Sequence, residues 1–249
     1  MKMKTILTVM AVVIAATVQA QTADEIITKY FENTGGKAKW EAVQGMKLFA
    51  KVNQGGMEIP IEMVQLKDGR QAQKITFQGK EIMQGVFDGK VLWSHNFMNM
   101  KAEKSDTEAT ENLKLDIGEF PDPFLTYKER GLKAEFLGKE TIDGTETLKI
   151  KLTKKPIKVD GKQTENVVFY YFDAENFVPL MSESEIKSGP MKGKISQSKM
   201  SDYQEVEGLM MPFSMSQGIK GDASQPLNVT KIELNPKLDG KFFAYPEGK

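Results

Sequence analysis

A single histidine, His95, limits what acid-base or nucleophilic chemistry this chain can host. A Ser-His-Asp or Cys-His arrangement would have to recruit it, and the chain contains no cysteine at all. No nucleophile elbow and no glycine-rich motif accompanies it. His95 sits in Trp93-Ser94-His95-Asn96-Phe97, at an expected strand end, where a hydrogen-bonded structural or surface histidine is the ordinary outcome. A zinc site built from histidine and thiolate is excluded by composition. Carboxylates are plentiful, 34 in all. However, Glu103, Asp106, Glu108 and Glu111 fall in a stretch rich in Ser and Thr that reads as a solvated linker. Gly55-Gly56, Gly79 and Gly85 read as turn glycines, because no helix signal follows them to complete a phosphate cradle. No cofactor and no metal is read from the sequence, and an enzyme is the least supported class.

Charge removes another class of function. Basic and acidic residues balance at 34 each, and only Arg70 and Arg130 among the basic residues are arginines. Without a basic excess or guanidinium forks, nucleic acid is not an expected partner.

Methionine is what the chain has in abundance. Twelve of its fifteen methionines lie beyond residue 20, among them Met57, Met63, Met83, Met98, Met100, Met200, Met210, Met211 and Met215. The thioether side chain is flexible and polarizable, and it adapts to irregular apolar partners. Any one of these methionines would fill a core. Their number, on strands and without catalytic machinery, points to an apolar cavity for a ligand.

The elements that would position such a cavity follow from periodicity. Thr22-Ala23-Asp24-Glu25 reads as a capping box, and Ile26, Ile27, Tyr30 and Phe31 then share one helical face up to Gly35-Gly36. A short turn through Trp40 and Val43 follows. From Met46 the period becomes two: Met57, Ile59, Ile61 and Met63 alternate with Glu58, Pro60, Glu62 and Val64. Further strands are predicted near 46–54, 70–78, 80–87 and 90–97. A polar stretch, Lys101 to Asp116, interrupts them, and a short helix is predicted from Phe120 to near Gly131. Strands resume near 132–139, 145–153, 165–172, 177–187, 192–204, 209–219 and 228–235, with turns at Asp68-Gly69, Asp88-Gly89 and Asp143-Gly144. The expected fold is mainly β: one curved antiparallel sheet with helices against part of its concave side. The residues expected to face an apolar cavity are Met57, Ile59, Ile61, Met63, Phe77, Phe87, Trp93, Phe169, Tyr171, Met211, Phe213 and Met215. Register governs this set, since a slip of one residue turns a strand's side chains to the other face.

Residues 1–20, MKMKTILTVMAVVIAATVQA, carry the three regions of a secretory signal peptide. Lys2 and Lys4 are the positive start, Ile6 to Ala16 the apolar run, and Val18-Gln19-Ala20 the small-residue end. Cleavage is expected after Ala20, leaving residues 21–249 as one domain. The mature chain would carry a formal charge of −2, since the two lysines are removed from a neutral whole.

The chain resembles the LolA/LolB-like superfamily, the periplasmic lipoprotein carriers and their relatives. The resemblance spans nearly the whole mature chain and rests on the order of several local patterns. These run from Ala23-Asp24-Glu25-Ile26-Ile27 with Gly35-Gly36, through Phe87-Asp-Gly-Lys-Val-Leu-Trp93 and Leu137-Gly-Lys-Glu-Thr-Ile-Asp-Gly144. They continue with Tyr170-Tyr-Phe-Asp-Ala-Glu-Asn176 before Pro179-Leu180, and end with Ser201-Asp-Tyr-Gln-Glu-Val-Glu-Gly208 before Met211-Pro212-Phe213. The resemblance implies an unclosed β-barrel of about eleven strands, with an N-terminal helix and short helices lidding the concave face. It also implies an early-strand arginine that helps to hold the lid, and Arg70 is the only early arginine. The function it implies is a monomeric periplasmic carrier for an acylated ligand, a lipid or lipoprotein, shuttled toward the outer membrane between transient membrane-bound donor and acceptor proteins. A sensor or regulatory interaction module on the same fold is the alternative. A small outer-membrane barrel fits less well, because the chain ends Tyr245-Pro-Glu-Gly-Lys249 and not in an aromatic-terminated strand.

Overall fold

The computed structural model describes residues 21–246. The signal-peptide reading falls on residues 1–20, outside that range. The chain opens with helix α1 (Ala23–Asn33), and its capping box is formed: Glu25 N–H donates to Thr22 Oγ1 at 3.2 Å, and Thr22 N–H to Glu25 Oε2 at 2.9 Å. Helix α2 (Lys37–Ala42) follows after two glycines. Ile26, Ile27, Tyr30, Phe31 and Trp40 are all buried, as the helical spacing requires.

Strands then run β1 (Gly45–Gln54), β2 (Met57–Leu66), β3 (Gln71–Phe77), β4 (Lys80–Phe87), β5 (Leu92–His95) and β6 (Ala102–Lys104). Helix α3 (Thr107–Leu115) separates them from β7 (Lys133–Ile142) and β8 (Thr145–Thr153). A small hairpin, β9 (Ile157–Val159) with β10 (Lys162–Thr164), precedes β11 (Val167–Asp173) and β12 (Pro179–Glu185). The chain ends with β13 (Ile195–Val206), β14 (Leu209–Ile219), β15 (Gln225–Leu234) and a 3-10 turn at Gly240–Phe243.

Thirteen of these strands form one antiparallel curved sheet, in the order β6-β5-β4-β3-β2-β1-β15-β14-β13-β12-β11-β8-β7. Every neighbouring pair is antiparallel, and β1 against β15 joins the first third of the chain to its end. β6 and β7 remain as the two edges, so the sheet does not close. Thirteen strands replace the expected eleven or so. Strands of three residues, such as β6, are too short to display an alternation.

The polar stretch was expected to be a linker, and the first correction lies there. Thr107–Leu115 is helical although its exposed face is almost wholly polar. Asp106 caps it by accepting from Ala109 N–H at 2.6 Å. Glu108 accepts from Asp160 and Gly161 N–H, and Asn112 bonds both backbone groups of Lys158, so the β9–β10 hairpin holds the helix. Polar tertiary bonds leave no apolar periodicity to read. Conversely, 120–131 forms turns instead of the expected helix. Pro121 and Pro123 remove two amide donors, and Leu132 N–H closes on Tyr127 O at 2.7 Å.

The sheet's two faces carry different cores. On the concave face α1, α2 and the 120–132 segment cover Leu48, Ala50, Leu148, Ile150, Leu152, Phe172, Leu209 and Met211. The convex face carries a smaller cluster, Val64, Ala72, Val86 and Trp93, covered by Phe243 from the 3-10 turn. The helical cover is locked at its foot. Trp40 Nε1–H donates to Thr34 Oγ1 at 3.0 Å, Met210 N–H donates to Thr34 O at 3.2 Å, and Lys39 Nζ donates to Gly208 O at 3.3 Å. Gly35, at φ +112°, lies so near the β13–β14 turn that a Cβ would stand 2.1 Å from Gly208 O.

That contact gives a sharp comparison between adjacent glycines. Gly35→Ala should cost about 3 kcal/mol or more, because left-handed strain adds to a clash against backbone. Gly36, at φ +93° with open space around it, meets only the strain, so Gly36→Ala should cost about 1–2 kcal/mol. Urea unfolding of both variants checks the order, and equal midpoints would show that the turn yields.

Candidate functional site

The helices cover only part of the concave face, and the uncovered part is a hollow of about 980 Å³. Its walls come from both halves of the sheet, because the β1–β15 pairing brings them side by side. Ile59, Ile61 and Met63 from β2 face Ile75 and Phe77 from β3, and Met215, Ile219 and Leu227 from β14 and β15 stand opposite. The register explains the set. Met63 pairs with Leu48, Ile61 with Ala50 and Ile59 with Val52, so one parity of β1 and β2 shares the inner face. Glu62, of the other parity, sits on the outside between Lys47 and Lys74, each 2.7 Å away. Burial alone would raise Glu62, but these two ammonium groups outweigh it and hold its carboxyl below the ordinary range.

A second hollow, of about 520 Å³, adjoins the first across Met63, Gln73 and Met215. It runs beneath the helical cover and is lined by Met46, Met200, Met210 and Met211. Methionine is therefore concentrated in the smaller hollow, and Met63 and Met215 are shared with the larger one. At the covered end the lining turns polar. Tyr30 Oη–H donates to Asp122 Oδ2 at 2.9 Å, and Phe124 N–H to Asp122 Oδ1 at 2.8 Å. Tyr170 and Tyr203 complete this end, with Tyr203 Oη–H bonded to Pro179 O. Burial pushes the Asp122 carboxyl up to about 6 despite those two hydrogen bonds, and the charge of Glu119 adds to the rise. The same burial, with Asp122 nearby, holds the Tyr30, Tyr170 and Tyr203 phenols in their neutral forms.

The cover is tied down by charge. Arg130 Nη1 lies 3.2 Å from Glu119, and Lys154 Nζ reaches both Asp116 at 2.7 Å and Glu119 at 2.9 Å. Arg130 also donates to Leu115 O at 2.6 Å, fixing the end of α3 to the segment that covers the sheet. Arg70, the early arginine, does not reach this cover cluster. It pairs with Asp68 at 2.8 Å and stacks over Phe243 on the convex side.

The expected inward-facing residues divide. Ile59, Ile61, Met63, Phe77 and Met215 line the large hollow, and Met211 lines the smaller one. Phe213 shares their face and packs against the helical core. Met57 has the right parity but stands at the strand's start, 51% exposed. Phe87 is fully buried opposite Gln71 and Leu92 and reaches neither hollow.

Three placements are corrected. Trp93 faces the convex cluster, where its Nε1–H donates to Phe243 O at 3.1 Å. Gly85, at φ +55°, and the bulge opposite Gln71 to Gln73 break the simple count along β4, so parity does not carry through to β5. Phe169 and Tyr171 also face outward, while Tyr170 and Phe172 face the helices. Strand β11 is apolar on both faces, and sequence alone offers no polar residue to mark the outside. Outside, Lys149 Nζ lies 5.1 Å from both the Phe169 and Tyr171 rings, and Tyr171 Oη–H donates to Glu183 at 2.9 Å. The sequence reading missed Ile75, Leu227 and Asp122. The first two alternate on strands and were detectable by parity; Asp122 in Phe-Pro-Asp-Pro-Phe carries no local sign of its burial.

His95 lies outside both hollows. Its Nδ1 accepts from Met83 N–H at 3.1 Å, and its ring centre is 5.5 Å from that of Trp93. Among the described residues no group of three or more potential metal ligands comes together, and no helix is long and apolar enough to cross a membrane.

Asp122 generates a pH prediction with a definite sign. Its folded carboxyl holds a proton up to about pH 6, against an ordinary value of 3.8. The stabilisation from that proton is complete below about pH 4 and is lost as pH rises through 6. Asp122→Asn cannot ionise, so its stability relative to wild type should improve by roughly 2 kcal/mol between pH 4 and pH 7. Paired urea melts at the two pH values measure this; a constant difference would show that Asp122 ionises normally.

With this geometry the chain can be set beside solved structures. A LolA superfamily protein from Nitrosomonas europaea superposes with a TM-score of 0.53 at 16% identity, covering 90% of this chain and 98% of that one. A DUF1329 family protein from Desulfovibrio piger also gives 0.53, at 13% identity, over 90% and 97% of the two chains. No family model and no curated protein sequence matches the chain. At these identities the likeness speaks to fold, and the fold is that of an open, LolA-like barrel.

Proposed function

We propose that this chain is a non-enzymatic carrier or binding protein for an acylated ligand, a lipid or a lipoprotein, held in the concave hollow. The observation that carries the reading is the apolar space of about 980 Å³ left uncovered by the helices. That volume lies at the upper end of the range for small-molecule sites. Its lining is mainly Ile, Met, Phe, Leu and Val, which suits an acyl chain, and glutamines and serines such as Gln73, Ser198 and Gln225 stand among them as polar partners. Each buried methylene contributes about 0.8 kcal/mol, so one long chain supplies roughly 10 kcal/mol before ordering costs. Lipoprotein transport toward the outer membrane, with transient donor and acceptor proteins, is the finer form of this reading. The likeness to a LolA superfamily structure supports it.

The reading includes export. A chain cleaved after Ala20 would act in the periplasm as a monomer of one domain, residues 21–249. Edman sequencing of the protein from its native cell should begin at Gln21, and a mature form retaining Met1 would remove the export claim.

Ile61 tests the site directly. It lies on the inner face of β2, paired with Ala50 and Ile75, and lines the hollow. Ile61→Glu places a carboxylate against the chain, and the affinity for a fluorescent fatty acid should fall at least tenfold, about 1.4 kcal/mol. Circular dichroism and a melting curve confirm folding beside the titration. A folded variant that binds as well as wild type would take β2 out of the site.

A further inference from the structure

We propose that the end of the sheet where the large hollow opens is a docking surface for an anionic lipid bilayer. This goes beyond ligand carriage and rests on different residues. Antiparallel order places the turns after β1, β3, β5, β12 and β14 at one end of the sheet. Among the described residues six large apolar side chains are conspicuously exposed, and four of them stand at this end. Met57 opens β2 at 51% exposure, Phe97 and Met98 lie in the turn after β5 at 61% and 96%, and Met191 lies in the turn after β12 at 46%. Residues from the same turns, Phe97 and Ile186, line the large hollow, so the apolar tips border its mouth.

Charge at this end identifies the surface that fits. The turn segments 55–56, 78–79, 96–101, 186–194 and 220–224 hold five lysines and one acid, Asp222, and Lys80 follows as the first residue of β4. The hairpin turns at the opposite end, 67–70, 88–91, 143–144, 174–178 and 207–208, hold three basic and five acidic residues. A chain with zero formal charge is thus polarised along its strands. Lys80, Lys101 and Lys192 are exposed and make no ion pair among the described residues. Unpaired ammonium groups interleaved with exposed Met and Phe are complementary to anionic headgroups above an acyl layer. A neutral apolar groove on a protein would satisfy the apolar tips but leave these lysines without counter-charge. Seated this way, the hollow would face the bilayer, and an acyl chain could pass between them without crossing water.

The test uses the mature chain, residues 21–249, and vesicle co-sedimentation, with phosphatidylcholine vesicles prepared with and without phosphatidylglycerol. Wild type should sediment with the anionic vesicles about tenfold or more better than with neutral ones, and added salt should weaken the binding. Met98→Ser with Met191→Ser, and separately Lys101→Glu with Lys192→Glu, should each lower the anionic partition about tenfold. None of these four residues lines either hollow. Fatty-acid affinity and melting temperature should therefore stay as in wild type, which keeps this proposal separable from the carrier reading. Wild type that ignores anionic vesicles, variants that sediment like wild type, or equal binding to neutral vesicles would each overturn the proposal. A concentration-dependent dimer abolished by the methionine pair, without vesicle binding, would assign the rim to self-association instead.

Discussion

A sheet of thirteen antiparallel strands curves around more apolar surface than two short helices and one loop segment cover. The rest of the molecule is a consequence of that mismatch. Where α1, α2 and the 120–132 segment press on the concave face, aromatic packing is dense: Phe124 meets Tyr170 at 4.8 Å and Phe172 at 5.6 Å, and Tyr30 meets Phe172 at 5.6 Å. Beyond the cover the same alternating side chains line open space. The hollow is therefore built from ordinary core residues that lack a covering element.

The seam between covered and open surface is where ionisable groups take unusual states. Asp122 stands at the buried end of the smaller hollow with only two hydrogen-bond donors, and desolvation outweighs them. A few residues away, Glu119 and Arg130 with Lys154 form a paired network that ties the cover to α3 and to the end of β8. Burial pushes Glu119 up and Lys154 down; Asp116 and Glu119 together outweigh burial at Lys154 and leave it raised, while Asp116 adds to the rise of Glu119. Single truncations within such a network leave an uncompensated charge, which costs more than the pair itself stabilises. The cover is thus held by these charges as well as by aromatic contacts.

Along the strand direction the molecule has two unlike ends. The foot, at the β13–β14 turn, is fixed by backbone contacts to Thr34 and by the close approach of Gly35. The mouth carries exposed apolar tips and lysines.

The sequence by itself determined most of the sheet and the first helix. The capping box of Thr22 and Glu25 is a local device, and the alternation of Met57, Ile59, Ile61 and Met63 against Glu58 and Glu62 marks inside and outside within one strand. Those features need no knowledge of distant residues. Tertiary structure decided what local pattern could not carry. Strand β11 is apolar on both faces, so only its pairing with β8 and β12 shows that Tyr170 and Phe172 point inward while Phe169 and Tyr171 lie under Lys149. A bulge in β4 sends Trp93 to the convex face. Helix α3 exists through bonds to a hairpin some fifty residues away in sequence, and the Asp122 carboxyl is pushed up only because Tyr30 and the sheet bury it. In each case the deciding contact lies outside the element itself, where periodicity has no reach.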